Sequence, residues 1–357
     1  MRLIRIESSA LARLQPEPHM PPDDPDRQDL VTGATGFLAR HLFPLLTRPI
    51  ALVRTQAAWD SLPHRQTMGH EVPIVGDLEQ PSGWSRLPTD IGTIVHLAAC
   101  VRHNRSDAKE VYHTNVEGTL AMVRLAARIG ARLIFVSTSG TVGCFSSPKE
   151  IADEGSPYCG DVIHRWPYYD SKMQAEIKAR QLADGLGVEM VIVRLPILLG
   201  PGDHRGRSTS LVARLAAGRQ SFVMKGGIAF TDVRDVAQGL ATIVAIPSPR
   251  RIYHLAGTSC SLIDFFRQAA DLAGVAPPRL CLPKTVVIPF AHLAHRIARI
   301  FGTKSPLPSP VVVEMGSHYW GFTSRWSHEL GYRPRLAQET LRDTIAWLRG
   351  PEASHGF

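Results

Sequence analysis

The chain has 357 residues, 44% of them hydrophobic and 20% charged, and carries a formal net charge of +8. That size and apolar content suit a globular enzyme with one large domain and a smaller one attached, and no uncharged apolar run of about 18 residues marks a membrane span. The basic residues are spread along the chain without a basic stripe or aromatic interleaving, which argues against nucleic acid as a partner and leaves the charge as solvated surface plus attraction for an anionic cofactor.

Residues 1–28 read as a loose extension, because Gln15–Arg27 holds five prolines and several acids with no apolar period. Arg2, Arg5 and Glu7 interrupt what would be the apolar part of a secretory leader. From Asp29 short apolar runs alternate with helical patterns. The strands expected are Asp29–Thr32, Ile50–Val53, Val72–Val75, Thr93–Leu97, Arg132–Ser137, Met190–Leu195 and Arg251–Leu255. Helical patterns lie between them near Gly36–Leu46, Asn115–Ile129, Tyr168–Leu186 and Val233–Ile246. This alternation predicts an α/β fold, a Rossmann-type doubly wound parallel sheet. After Gly200 the rhythm changes to a turn-rich loop and helices near Ser210–Ala217, Leu262–Ala273, Val286–Phe301 and Ala337–Leu348. The expected division is a dinucleotide-binding domain over 29–200 to which 233–257 returns, with 201–232 and 258–357 forming a smaller C-terminal α/β substrate domain.

Thr32–Ala39 (TGATGFLA) follows the first strand and opens the first helix. There Gly33 permits the tight turn, Gly36 lets the backbone approach a pyrophosphate, and Ala39 still allows close helix–sheet packing. Thr35, Phe37 and Leu38 belong to the same cofactor-contacting turn. The second strand ends at Arg54, where an acid would grip a ribose 2′-hydroxyl; arginine suits a 2′-phosphate, so the expected cofactor is NADP(H). Asp77 is placed to accept from an adenine amino group while Leu78 packs on its ring. Leu97, Ala98 and Ala99 end the fourth strand with residues that let backbone lie against the cofactor.

Tyr168 and Lys172 stand one helical turn apart, on one face. A free phenol titrates near about 10, and a neighbouring ammonium stabilises the phenolate, so the spacing suits acid–base catalysis. Upstream, the strand ending at Ser137 runs into Thr138-Ser139-Gly140-Thr141, a hydroxyl cluster suited to holding a carbonyl oxygen. The five cysteines include no Cys-x-x-Cys, which fits a reducing, cytoplasmic setting. The fifteen histidines show no ligand spacing, and the His292/His295 pair on a helix is better read as surface or core, so no metal is expected.

In this order the motifs resemble an extended short-chain dehydrogenase/reductase of the epimerase/dehydratase group, nearest its dihydroflavonol-reductase-like and 3β-hydroxysteroid-dehydrogenase-like members. The resemblance runs from Asp29 to about Gly350. It rests on TGATGFLA, ALVR, GDL, HLAA, Asn115-Val116-Glu117-Gly118-Thr119, VSTS, YYDSK, VRLPILLGPGD, FTDVRDVA and YHLAG. It implies Tyr168 as the acid–base residue, Lys172 as its partner and Ser139 as the catalytic hydroxyl, with Thr138 the competing neighbour. It further implies Pro196 and Leu198 beside the nicotinamide, Ser137 and Asn115 near the cofactor, and a homodimer through Asn115–Ile129 and Tyr168–Leu186. Two departures stand out. Gly143-Cys144 replaces the usual Tyr-Gly, which is expected to reshape the pocket wall. Ile228 stands where sugar-nucleotide enzymes of the group carry a diphosphate-binding arginine.

The function expected is an NADP(H)-dependent oxidoreductase that interconverts a carbonyl and an alcohol on a fairly apolar small molecule. The alternative is a nucleotide-sugar epimerase/dehydratase with tightly held NAD(P). Val286–Phe301 is expected to wall the substrate cleft with hydrocarbon. The loop residues Arg102, His103, Arg105, His164, Arg165, His204, Arg205 and Arg207 are candidates for an anionic handle at its mouth.

Overall fold

The computed structural model describes residues 27–63, 73–77, 87–220, 222–303, 309–351 and 353. Seven strands form one sheet: β1 (Gln28–Thr32), β2 (Pro49–Val53), β3 (Ile74–Val75), β4 (Ile91–His96), β5 (Arg132–Thr138), β6 (Met190–Leu195) and β7 (Ile252–His254). Their order is β7-β6-β5-β4-β1-β2-β3, and every ladder is parallel. Each of the seven expected runs supplies one strand; Val72, the expected start of the third, lies outside the described residues.

Near-continuous burial along these strands follows from cover on both faces. Alternate side chains go to opposite cores. Val31, Ala51, Val53, Val95 and Ile134 face one side, against Phe37–Leu42 and Val233–Ala245. Leu30, Ile50, Leu52, Ile94 and Leu133 face the other, against Gly118–Ile129 and Pro167–Leu186.

A three-stranded sheet of Ile197–Leu199, Gly227–Asp232 and Thr258–Ser261 continues beyond β6. It shares a core with the helices Ser210–Ala216, Leu262–Ala273 and Ala337–Arg349. The helix expected from Asn115 in fact begins at Ala108 and passes through a π-helical turn, His113–Glu117, before Gly118–Ile129. Such turns are rare and concentrate at functional sites, and Asn115 lies buried within this one. The structure adds short helices at Gln56–Asp60, Gly160–Ile163 and Pro310–Gly316 that the sequence pattern does not predict. All five cysteines are free thiols. Among the described residues no helix is long and apolar enough to cross a membrane, and no cluster of three or more potential metal ligands occurs.

Candidate active site

The carboxyl ends of β1, β2, β4, β5 and β6 open into a cleft of about 1180 Å³. Its size exceeds the ~300–1000 Å³ usual for one small ligand and suits a dinucleotide with a substrate beside it. At one end lies the glycine turn. Gly33 has φ +68, and a Cβ there would stand 2.7 Å from the backbone nitrogen of Ala98. Only glycine allows both that conformation and that approach. A buried relay fixes the same corner. The Ala98 amide donates to the Thr32 hydroxyl at 3.2 Å, which donates to His96 Nδ1 at 2.7 Å. His96 Nε2 reaches Thr119 Oγ1 at 3.2 Å, and Thr119 in turn donates to the Asn115 carbonyl. Burial holds the His96 pKa down to about 3, so the ring is neutral and one nitrogen can accept.

Gly33, Thr35, Gly36, Phe37, Leu38, Arg54, Asp77, Leu97, Ala98, Ala99, Ser137, Pro196 and Leu198 all line the cleft. Leu78 lies outside the described residues. Arg54 is exposed at the end of β2. Arg205, from the loop after Gly200, donates to Thr35 Oγ1 at 3.1 Å. Burial together with the charges of Arg207 and Arg54 lowers its pKa, so three guanidinium groups share this end of the cleft. The left-handed turn, the close backbone approach and the cationic rim suit the anionic phosphates of a dinucleotide.

At the other end, Tyr168 and Lys172 project from the helix Pro167–Leu186, which opens on a proline at its first turn. Lys172 is 2% exposed. It donates to the Val136 carbonyl at 2.7 Å and lies 4.0 Å from the centre of the Phe135 ring. Burial, opposed by the charge of Glu176, brings its ammonium down to about 7. Tyr168 is half-buried, and burial pushes its phenol up to about 12, which keeps the proton in place.

The four hydroxyls at the end of β5 and just after it differ in what they touch. Ser137 and Thr141 donate to Glu176 at 2.5 and 3.2 Å, while Thr138 accepts from the Gly140 amide at 3.3 Å. The Ser139 side chain makes no hydrogen bond among the described residues, and both it and Thr138 line the cleft. Glu176 anchors this group through a fully buried ion pair with Arg194 at 2.6 Å.

Asn115, expected near the cofactor, sits one layer back. It does not line the cleft; it is buried behind it. Its amide accepts from Cys100 N at 2.7 Å and donates to Cys100 O at 3.1 Å and Ser171 Oγ at 2.9 Å, clamping the strand end after β4 to the Tyr168–Lys172 helix. Cys144 is likewise behind the wall, packed with Trp166, Met173 and Met315, so the Gly143-Cys144 departure alters the support and not the surface. Among the basic residues proposed for an anionic handle, Arg102, His103, His204, Arg205 and Arg207 line the cleft, whereas Arg105, His164 and Arg165 do not. Arg165 is held instead by Glu314 at 2.9 Å.

The substrate end has an aromatic wall that spacing alone did not reveal. His103 meets Tyr168 edge-on at 5.6 Å between ring centres, and Tyr169 packs on Trp320 at 4.9 Å. Ile228, Phe222, Met224, Val313 and Met315 add hydrocarbon. The pairing of Tyr319–Trp320 with Cys144–Phe145, distant in sequence, brings Trp320 here.

The chain is 27% identical over 339 residues to "Sterol demethylase protein B" of Methylococcus capsulatus, covering 90% of this chain and 98% of that protein. It is 25% identical over 341 residues to a "Putative dihydroflavonol 4-reductase" of Synechocystis, covering 92% and 95%. The crystal structure of gox2253 superposes with a TM-score of 0.76 at 28% identity, covering 93% of this chain and all of that one. The model of the NAD dependent epimerase/dehydratase family matches residues 30–256, from the first strand through the last strand of the large sheet. The chain therefore belongs to the NAD dependent epimerase/dehydratase family and is an extended short-chain NAD(P)-dependent oxidoreductase.

Proposed function

We propose that this protein uses NADP(H) to interconvert a carbonyl and an alcohol on a fairly apolar small molecule. The observation that carries the reading is the meeting of Tyr168, Lys172 and the uncommitted Ser139 hydroxyl in one cleft with the Gly33 turn. Gly33, Gly36 and the residues after β4 form the dinucleotide cradle, with Arg54 on the 2′-phosphate. Bound there, the dinucleotide supplies or accepts hydride. Ser139 orients the substrate oxygen. Tyr168, whose phenol burial keeps protonated, donates the proton to that oxygen, and Lys172 stabilises the phenolate left behind. Asn115 and Glu176 act indirectly, by holding the elements that carry these groups. The domain division at 29–200 with 233–257, against 201–232 with 258–357, is part of the same proposal.

The apolar lining, including Ile228 where a diphosphate-binding arginine would serve a sugar nucleotide, supports the substrate class. The names of the two relatives given above, "Sterol demethylase protein B" and "Putative dihydroflavonol 4-reductase", agree with it. The test is a panel of steroid-like, aromatic and acyl-chain ketones and UDP-sugars, followed by NADPH oxidation, with epimer and dehydration products measured separately. A ketone is expected to be reduced, and Tyr168→Phe to lose at least ~100-fold in turnover while still binding NADPH. Conversion of a UDP-sugar with no ketone turned over overturns the substrate class; near-normal turnover in Tyr168→Phe overturns the mechanism.

A further inference from the structure

The helix Lys284–Ile300 has three faces. At about 100° per residue, Val287, Ala291 and Ala298 fall on one narrow arc, and all three are buried. Val286, Phe290, Leu293, Ile297 and Ile300, with Phe301 just after the helix, fall on a second arc of about 100°. These are 51%, 64%, 52%, 46%, 70% and 74% exposed. Lys284, His292, His295, Arg296 and Arg299 fill the third arc. Six of the fourteen exposed large hydrophobics among the described residues therefore sit on one stripe of one helix, where scattered ones would call for no explanation.

Charge says what the stripe meets. Between Asp271 and Glu314 the sequence contains no acidic residue, while Arg279, Lys284, Arg296, Arg299 and Lys304 are basic. A two-fold dimer through this face would set the cationic arc against its own copy, which is unfavourable. A bilayer carrying negative headgroups complements both arcs at once. We propose that this helix docks the protein on an anionic membrane surface, with the apolar stripe in the headgroup–acyl boundary and the arginines on lipid phosphates.

The placement links membrane to cleft. Val287 and Ala291, on the inner arc, pack with Val313, Phe222 and Met224, which themselves line the cleft. Docking thus sets the substrate end of the cleft one helix away from the lipid. The inference is independent of the chemistry proposed above, since it concerns a surface that the reacting groups do not share.

The test is vesicle flotation of the full chain with NADPH, using phosphatidylcholine alone and phosphatidylcholine mixed with phosphatidylglycerol. The protein is expected to float with the anionic vesicles, more weakly as salt rises. The double variant F290E/L293E should need at least ~10-fold more lipid for half-binding, with melting temperature and NADPH affinity unchanged because both residues are exposed. R296E/R299E should lose the preference for phosphatidylglycerol. Failure of the wild type to float with anionic vesicles, or equal flotation of F290E/L293E, overturns the proposal. So does a lipid-free dimer that F290E/L293E converts to monomer, which assigns the stripe to a second copy.

Discussion

Replacing Lys172 with methionine removes a buried ammonium and keeps much of its stem. In the unfolded chain that lysine holds its proton up to about pH 10.4. In the folded protein burial brings it down to about 7, with Glu176 opposing the shift. Between those values the unfolded state binds more protons, so wild-type stability rises with pH across the window. At about 1.36 kcal/mol per unit, the gain from pH 7 to roughly 9.5 is about 3 kcal/mol. Below pH 7 the lysine is charged in both states and the cost of burying it is present in full. The methionine variant lacks this group and therefore this slope. The lost hydrogen bond to the Val136 carbonyl and contact with Phe135 shift the whole comparison but do not create a slope. Urea unfolding of both proteins without dinucleotide, from about pH 6 to 9.5, measures the difference directly. The wild type should gain about 3 kcal/mol on the variant over the upper part of that range, while the variant's turnover falls by at least ~100-fold at every pH. Parallel stability curves refute a buried lysine that deprotonates near neutrality.

Arg54→Ala should weaken NADPH binding about 10- to 100-fold and leave NADH binding nearly unchanged, the scale of one charge-assisted contact; calorimetric titration of both dinucleotides decides it, and an equal loss for the two refutes a 2′-phosphate role. Gly33→Ala should cost about 1–2 kcal/mol from the left-handed backbone alone. Displacement of Ala98, whose nitrogen would stand 2.7 Å from the new Cβ, adds to that cost. A lowered melting temperature together with lost NADPH binding is the expected result, and an unchanged dinucleotide affinity counts against the cradle.

The large sheet was legible because its strands are short apolar runs covered on both faces, as the buried Ile50–Val53 shows, and each strand end carried a recognisable turn. Tyr168 and Lys172 could be paired from helical spacing alone. Other parts depend on contacts distant in sequence. Nothing local signals that Trp320 reaches the cleft, because its position follows from strand pairing with Cys144. The proposed preference for Ser139 over Thr138 rests on hydrogen bonds that spacing does not reveal, among them the one Thr138 accepts from the Gly140 amide. Asn115 was assigned near the cofactor by resemblance; that it lies in a π turn and bridges Cys100 and Ser171 could not be read from spacing. The helix Lys284–Ile300 was expected to wall the cleft with its hydrocarbon; its inner arc packs against the wall, and most of its large apolar side chains point away.

β7 joins the large sheet only after the chain has built most of the second sheet. Residues Ile252–His254 pair with β6, whose outer edge has no other strand on it. During synthesis β6 emerges with that edge unpaired, and it stays so until the ribosome has passed His254. The family match closes at residue 256, just past the strand that completes this sheet. A fragment ending near Gly200 would present β6 as an open template for intermolecular strand pairing, so it should aggregate where the longer chain does not.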